Sequence, residues 1–334
     1  MRILFAGTPE PAAVTLQYLL EESGHEVVAV LTQPDAKRGR GRTLHPSKVA
    51  QVAEAAEVPV HKWPSLKGSA EDAAEVREVL RGYAADGVEA VAVVAYGQIL
   101  PADVLDIFRH GWINLHFSLL PRWRGAAPVQ AAIAAGDRFT GATTFRIVPE
   151  LDAGPVTGTV EEPVGLTDTA DDLLTRLTYS GRVLLAESLT GLGSGAVTPV
   201  AQPAEGMTYA AKITTADAEV DWTRPAVEIQ RVTRAHTPAP GPWTTLGGER
   251  HKLGLLLPVD GAEAPELTAG EILAEKSRVL VGTGDGVLEI TGIQPPGKKM
   301  MTAADWARGR SDLFADGHAA FDVVDTTTGD EGEN

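Results

Sequence analysis

The N-terminal segment carries a strand–helix–strand pattern that constrains the fold more strongly than any other feature of the sequence. An apolar run at Ile3–Ala6 ends at Gly7-Thr8-Pro9, and a second apolar run follows at Val27–Leu31. Between the two runs, apolar residues recur at helical spacing, at Val14, Leu16, Leu19 and Leu20. Two strands joined by a crossover helix form a βαβ unit, so the segment predicts a parallel sheet.

Further buried-strand candidates continue this pattern. They are Val88–Ala95, Trp112–Leu120 and Thr143–Val148. Strands that alternate with helical segments are typical of an open α/β sheet. We therefore expect an α/β domain with a mostly parallel sheet over residues 1–189.

The pattern changes after this domain. Residues 190–207 are rich in Gly, Ala, Pro, Thr and Val with little periodicity, which predicts a linker. Residues 208–312 are punctuated by Pro and Gly, and Val279–Val281 and Val287–Ile290 flank a glycine-rich turn. This favours a smaller β-barrel domain. Residues 313–334 hold many acids and no Lys or Arg, so we expect an acidic, disordered tail.

Charge and composition narrow the classes of function. The 334 residues include 45 Asp and Glu against 29 Lys and Arg, and a formal net charge of -16 argues against a nucleic-acid partner unless the cations are clustered. No cysteine is present, which excludes disulfides, thiol nucleophiles and Cys-ligated metals. No apolar run approaches the ~18 residues of a membrane helix, so we expect a cytoplasmic protein without a membrane partner.

The turn after the first strand does not fit a dinucleotide site. Gly7-Thr8-Pro9 is not G-x-G-x-x-G, because Pro9 and Glu10 stand where that loop needs small residues and free amides. NAD binding is therefore not expected. A turn that caps a helix is the favoured interpretation of these residues.

One strand candidate carries polar residues at alternate positions. Asn114, His116 and Ser118 would share a face of a strand. An amide beside an imidazole can stabilise an oxyanion and move a proton. The alternative is a core histidine satisfied by hydrogen bonds.

Asp152 follows another strand candidate, in Glu150-Leu-Asp-Ala-Gly-Pro155. Ligands bind beyond strand ends in open α/β sheets, and a carboxylate near His116 is expected to orient its imidazole and raise its pKa. A carboxylate that only closes an Asx turn is an equally good interpretation.

The segment Ala36–Lys48 is strongly basic. Its cations are Lys37, Arg38, Arg40, Arg42 and Lys48, with no acid among them. Glycines keep the loop mobile, and arginines bind phosphate groups well, so the segment suits contact with a nucleic-acid backbone. A solvated loop is the common alternative for a run of charges.

Together these residues resemble the methionyl-tRNA formyltransferase family, over residues 1 to about 312. The segment Ser118-Leu-Leu-Pro-Arg-Trp-Arg-Gly-Ala-Ala-Pro128 is similar to the most characteristic stretch of that family. Asn114-x-His116 and Leu151-Asp152-x-Gly154 match its catalytic positions. Further matches are Phe5-Ala-Gly-Thr-Pro9, Thr32-Gln-Pro-Asp35, Val94-Ala-Tyr-Gly97, Tyr209-Ala-Ala-Lys-Ile213, Asp221-Trp222 and Gln294-Pro-Pro-Gly-Lys-Lys299.

The resemblance implies a Rossmann-like catalytic domain, an OB-like second domain that binds tRNA, and formyl transfer from 10-formyltetrahydrofolate to methionyl-initiator tRNA. Catalysis is then expected from Asn114, protonated His116 and Asp152, without a metal. The residues expected at the folate pocket are Tyr96, Gly97, Ser118, Leu119, Leu120 and Pro121. The residues expected at the tRNA are Lys37, Arg38, Arg40, Arg42, Lys48, Lys298 and Lys299.

Two departures from the family pattern matter. Phe117 stands where many relatives have glycine, and alternation turns its ring away from Asn114 and His116. The linker has no Lys or Arg between Arg182 and Lys212, which shifts the tRNA contacts to the basic segment and to second-domain cations that include Arg231, Arg234 and Lys252.

Two other functions stay open. A formyltransferase that acts on a small amine, such as a nucleotide or amino sugar, would share the catalytic residues without needing the basic segment or the barrel. A nucleic-acid-binding module with an inactive α/β domain is less consistent with an intact Asn/His/Asp set. We expect a monomer.

Overall fold

A computed structural model describes residues 1–38, 43–67, 71–262, 264–315 and 318–323, with the backbone alone at residues 38, 71 and 72. The chain divides into two compact units. The first comprises Met1–Pro128, Arg138–Val164 and Asp172–Ala211. The second comprises Val129–Asp137, Gly165–Asp171 and the chain from Lys212 onward.

The elements up to residue 211 are, in chain order, β1 (Arg2–Gly7), α1 (Glu10–Glu21), β2 (Glu26–Leu31), β3 (Ala36–Arg38), β4 (Thr43–His45), α2 (Lys48–Ala55), β5 (Val60–His61), α3 (Glu71–Ala85), β6 (Ala90–Val94), α4 (Ala102–Leu105), β7 (Trp112–His116), β8 (Arg124–Gly125), α5 (Pro128–Ala135), β9 (Phe139–Arg146), β10 (Val156–Pro163), α6 (Ala170–Ser194) and β11 (Tyr209–Ala210). This alternation confirms the α/β class.

The first unit contains a seven-stranded sheet in the order β10-β9-β7-β6-β1-β2-β5. The pairs from β7 to β5 are parallel, whereas β9 and β10 are antiparallel to their neighbours. The chain goes from β1 outward to β2 and β5, then returns to add β6 and β7 on the other side. This reversal is the position at which open α/β sheets bind ligands, beyond the carboxyl ends of the strands.

Both faces of this sheet are covered, which explains the continuous apolar runs in the sequence. On one face, Phe5 and Leu115 pack with Leu16 of α1 and Leu185 of α6. On the other face, Leu4, Val93 and Trp112 belong to a second cluster with Leu80 of α3.

The second unit continues with a short 3-10 turn at Ala216–Ala218 and the elements α7 (Ala226–Ala235), β12 (Trp243–Leu246), β13 (Glu249–Leu253), β14 (Leu256–Pro258), β15 (Glu271–Ala274), β16 (Val279–Thr283), β17 (Gly286–Ile290), β18 (Gly292–Gln294), β19 (Met301–Thr302), α8 (Ala303–Arg308) and β20 (His318–Ala320). Its strands form two antiparallel sheets, β12-β13-β18-β19 and β14-β17-β16-β15-β20. The sheets enclose one core that includes Trp222, Ile272 and Trp306, consistent with the predicted small barrel.

The linker and tail differ from the expectation. Helix α6 continues to Ser194, so the predicted linker begins inside a helix. In the predicted tail, β20 pairs with β15, and Phe321 is buried and stacks on Trp222 with ring centroids 5.2 Å apart. The pairing of β20 and the burial of Phe321 order the start of the tail despite its acidic composition. Residues 324–334 lie outside the described part of the chain.

Two strands also end earlier than the apolar patterns predict. β7 ends at His116 and β9 ends at Arg146. The Ser118 hydroxyl donates to the Arg122 carbonyl at 2.6 Å, which closes a turn instead of extending β7. Among the helices that the structure describes, none is long and apolar enough to cross a membrane.

Candidate active site

A cavity of about 660 Å³ opens beyond the carboxyl ends of β6 and β7, next to the reversal of strand order. This volume suits a small-molecule ligand. Its lining comes from the loop after β6, the end of β7, the loop around Gly125, and the turn after β9. The predicted residues Tyr96, Gly97, Asn114, His116 and Asp152 all lie in this wall.

His116 is held through one ring nitrogen. The Nε2–H group donates to the backbone carbonyl of Trp123 at 2.8 Å, and the side chain is only 7% exposed. A carbonyl oxygen can only accept, so Nε2 carries a proton and Nδ1 is the free nitrogen of the neutral ring. Nδ1 lies 3.8 Å from Oδ2 of Asp152.

Asp152 is placed by the turn between β9 and β10. Its φ of 48° is left-handed, and its Oδ2 accepts the Gly125 amide at 2.8 Å. The turn needs Gly154, because a Cβ there would lie 1.7 Å from the Arg146 carbonyl oxygen. Gly125 is similarly required, since its φ is 114° and a Cβ would lie 2.6 Å from the Ala210 carbonyl oxygen.

The protonation state of His116 differs from the expectation. Burial lowers the pKa of His116, and the opposing effects of Asp152 and of the bond to Trp123 are smaller. Asp152 does raise the pKa of His116, as expected, but burial lowers this pKa by more, so the expectation of a protonated resting His116 was wrong. A depressed pKa leaves the ring neutral at pH 7, with Nδ1 ready to accept a proton beside a carboxylate.

Asn114 shares the face of β7 with His116 and lies in the cavity wall. Within the described ranges, no hydrogen bond ties its side-chain amide to another group. Its N–H donors are thus available to an oxygen atom in the cavity. The amide and Nδ1 of His116 together provide a donor and a proton acceptor at one end of the cavity.

Backbone strain is concentrated at this site. Ala95, Trp123 and Asp152 have φ values of 45°, 60° and 48°. Each such conformation costs about 1–3 kcal/mol outside glycine. Ala95 lies in the loop after β6, Trp123 supplies the carbonyl that binds His116, and Asp152 lies in the turn after β9.

The predicted folate residues divide into two groups. Tyr96 and Gly97 line the cavity, and burial raises the pKa of the Tyr96 hydroxyl. Ser118, Leu119, Leu120 and Pro121 do not line it. The Thr143 hydroxyl donates to the Ser118 carbonyl at 2.7 Å and accepts the Leu120 amide at 3.1 Å, so this segment is a structural turn at the end of β7.

Phe117 contributes to the cavity wall and also packs against the core on the α1 face of the sheet.

The basic segment begins in a two-stranded ribbon, β3 and β4, and ends at the first residue of α2. Lys37 is exposed on β3, and β3 pairs with β4 in antiparallel register. Lys48 begins α2, where its Nζ lies 3.3 Å from a Glu10 carboxylate oxygen. Arg40, Arg42 and the side chain of Arg38 lie outside the described residues.

In the second unit, Lys298 and Lys299 are exposed on the turn between β18 and β19. Arg234 is instead buried. Its guanidinium donates to the Gln230 side chain and to the Gly165 and Asp168 carbonyls, at 2.9–3.2 Å. We therefore correct its expected tRNA contact to a structural role within that unit.

The sequence did not reveal three hydrogen-bond partners of the candidate catalytic residues His116 and Asp152: the Trp123 carbonyl, the Gly125 amide and the side chain of Gln202. Two of these are backbone groups, which leave no signal in residue identity. Gly125 was noted in the sequence only as part of the segment Ser118–Pro128 that resembles the family, and no contact with Asp152 was predicted for it. No group of three or more potential metal-binding side chains occurs among the residues that the structure covers.

Comparison with known proteins defines the class. Residues 1–189 match the model "Formyl transferase", and residues 212–311 match "Formyl transferase, C-terminal domain". A sugar 3N-formyl transferase, crystallised in the presence of dTDP and 5-N-formyl-THF, has a similar fold with a TM-score of 0.64 at 16% identity, covering 90% of this chain and 99% of its own. HypX from Aquifex aeolicus in complex with tetrahydrofolic acid has a TM-score of 0.62 at 19% identity, covering 99% of this chain and 50% of its own.

Curated relatives are more similar in sequence. The methionyl-tRNA formyltransferase of Corynebacterium jeikeium is 60% identical over 326 residues, which cover 98% of this chain and 99% of the relative. The enzyme of the same name from Mycobacterium bovis is 51% identical over 318 residues, covering 94% and 99%. The chain therefore belongs to the formyl transferase family and, within it, to the methionyl-tRNA formyltransferases.

Proposed function

We propose that this enzyme transfers a formyl group from 10-formyltetrahydrofolate to the free α-amine of methionyl-initiator tRNA, with Asn114, His116 and Asp152 as its catalytic residues. The observation that carries the proposal is the arrangement of the three side chains at one end of the cavity, in a chain that matches both formyl transferase domains. The products are N-formylmethionyl-tRNA and tetrahydrofolate.

The first step forms a bond between the amine nitrogen and the formyl carbon. The formyl oxygen then becomes an oxyanion, and the Asn114 amide is the donor that stabilises it. Removing one such donor typically costs about 10²–10³ in kcat. A neutral amide suits this role because it can donate without first being charged.

The second step moves the amine proton. Nδ1 of neutral His116 accepts it, either directly or through one water, and the resulting imidazolium is stabilised by Asp152 at 3.8 Å. Cleavage of the bond between the formyl carbon and folate N10 then returns this proton to N10. In total, the amine nitrogen loses one proton, His116 carries it, and N10 of the leaving folate receives it.

The cavity is the proposed folate site, with Tyr96 and Gly97 in its wall. The cations of the basic segment, with Arg40 as the central residue, are proposed to bind the tRNA backbone. Lys298 and Lys299 are proposed to add contacts from the second unit. Because the product serves translation initiation, we assign the protein to the cytoplasm, and we propose that it acts as a monomer.

The function is tested by an assay with 10-formyltetrahydrofolate and four acceptors: charged initiator tRNA, charged elongator methionyl-tRNA, free methionine and an amino-sugar nucleotide. We expect rapid formylation of the initiator tRNA alone. Preferential formylation of the amino-sugar nucleotide would instead support the small-amine alternative.

A further inference from the structure

The segment Gln202–Ala210, named here the strap, contacts the supports of both titratable catalytic residues without lining the cavity. We propose that the strap is a positioning device for formyl transfer and that Gln202 is its main positioning residue. The inference rests on the proposed function for the reaction that is measured. Gln202 is half-buried, and its side chain acts on the site through two neighbours.

The Gln202 carboxamide bonds to the Asp152 turn on one side. Its Nε2 donates to the carbonyl of Asp152 at 2.7 Å and to the carbonyl of Gly154 at 2.9 Å. Two bonds from one nitrogen fix the carbonyls on either side of Ala153. Asp152 has a φ of 48°, so these bonds help to hold its strained backbone.

On its other side, Gln202 bonds to a buried arginine. Its Oε1 accepts from Nε of Arg124 at 3.2 Å and from Nη2 at 2.8 Å. The Arg124 side chain is 7% exposed, and its Nη1 lies 3.1 Å from Glu150 Oε1. A buried guanidinium is costly unless its donors are paired, so Arg124 constrains where the Gln202 oxygen lies.

The far end of the strap holds the loop that supports His116. The Thr208 hydroxyl accepts the Trp123 amide at 2.9 Å, and the Thr208 carbonyl accepts the Arg124 amide at 2.9 Å. β11 then pairs with β8 in parallel register. Trp123 is the residue whose carbonyl accepts the His116 Nε2–H group, and Gly125 in β8 donates to Asp152.

The strap therefore restrains both partners of the His116–Asp152 pair. A displacement of about 1 Å in a catalytic group can cost on the order of 10²-fold in rate. Loss of the Gln202 bonds is expected to lower kcat because Asp152 no longer faces Nδ1 correctly. The KM for folate should change little, since Gln202 does not contact the cavity.

The test uses Gln202→Glu and Gln202→Ala in the full-length enzyme, with Glu205→Gln as a matched control. Gln202→Glu keeps the shape and can still bind Arg124, but it places carboxylate oxygen against two carbonyls. We expect both variants to lose about 10-fold to 100-fold in kcat, with folate KM within twofold of wild type. Glu205 is exposed on the same strap, and its variant should retain wild-type rates.

A double-mutant cycle with Asp152→Asn separates positioning from general destabilisation. If Gln202 acts through Asp152, Gln202→Ala should cost less than about threefold in the Asp152→Asn background. Thr208→Val should lower kcat and Thr208→Ser should restore it, because serine keeps the hydroxyl that accepts the Trp123 amide.

Wild-type kcat in both Gln202 variants would overturn the proposal, as would an unchanged Gln202→Ala penalty in the Asp152→Asn background. Activity of the wild-type enzyme on methionyl-tRNA tests the proposed function separately, because the strap is judged only by ratios between variants. Melting temperatures measured for each variant identify losses that come from unfolding.

Discussion

The candidate catalytic cluster and the basic segment are both polar regions of the first unit, but they are built in opposite ways. His116 and Asp152 are 7% and 17% exposed at their side chains, and backbone groups fix one atom of each. Lys37 is exposed on a short ribbon, and Lys48 makes one ion pair at the surface. Exposed pairs of this kind contribute little to stability.

This difference follows from what each region must do. Proton transfer and oxyanion stabilisation need groups held in place before the substrate arrives, in a setting of low dielectric. Attraction to a phosphate backbone needs accessible positive charge and weakens as the salt concentration rises, but it does not need a fixed geometry. Strain and burial are therefore found at the cavity, whereas Lys37 and Lys48 lie at the surface.

The largest effect is expected from the three proposed catalytic residues. Asn114→Ala, His116→Ala and Asp152→Ala should each lower the rate of formyl transfer by about 10²–10⁴ while tRNA binding persists. Single-turnover rates and filter binding of charged tRNA measure the two properties. Glu161→Gln, an exposed change on β10, is the control. Near-normal turnover in all three variants would contradict the mechanism.

A glycine pair tests the close packing around the carboxylate. Gly125→Ala should destabilise the fold and lower kcat, because its Cβ would lie 2.6 Å from the Ala210 carbonyl oxygen. Gly195→Ala is the matched control, since Gly195 has a φ of 75° but no atom within 4 Å of its Cβ position. The control should cost about 1–2 kcal/mol from its left-handed backbone alone, without loss of kcat in the folded enzyme. Equal effects would exclude a role for the close approach.

The pH dependence tests the buried state of His116. Burial lowers its pKa, so the neutral base persists as the pH falls and the acid limb of kcat should lie below about 6.5. Asp152 raises this pKa, so Asp152→Asn should move the limb further down. The unfolded chain binds its proton near pH 6.5 and the folded chain does not, so His116 makes the fold less stable as the pH falls below 6.5. A limb above 6.5 would show that the ring is charged at rest.

The smallest effects are expected at the basic segment. Lys37→Ala and Arg40→Ala should each weaken tRNA binding several-fold at low salt and reduce the salt slope by about one, without changing folate KM. Binding measured across a salt series checks this. Lys276→Ala, in the turn between β15 and β16, is a charge-matched control. An unchanged slope for both variants would remove the segment from the proposed tRNA site.

Much of the fold was predictable because its signals are local. The apolar runs at Ile3–Ala6 and Val27–Leu31 lie within β1 and β2, and strand alternation placed Asn114 and His116 on one face. The hairpin around residues 282–286 also appeared as predicted, in β16 and β17. These features depend on residues close together in the chain.

The wrong predictions concern tertiary contacts. The pKa of His116 depends on how deeply its ring is buried. The identities of residues 116 and 152 do not reveal that burial. Ser118 continues the alternation of polar residues in the sequence, but β7 ends at His116. The Ser118 hydroxyl therefore lies in a turn and donates to the Arg122 carbonyl. The buried Phe321 shows that an acidic segment can still supply a core residue.

His116 is inferred to rest as a neutral ring with its proton on Nε2 and its Nδ1 facing Asp152. Nitrogen-15 NMR of histidine-labelled enzyme, recorded from pH 8 to pH 5, tests this directly. We expect a protonated Nε2 and an unprotonated Nδ1 at pH 7, with titration of Nδ1 below about pH 6.5 and a further downward shift in Asp152→Asn. An imidazolium at pH 7, or a proton on Nδ1 with Nε2 free, would contradict it.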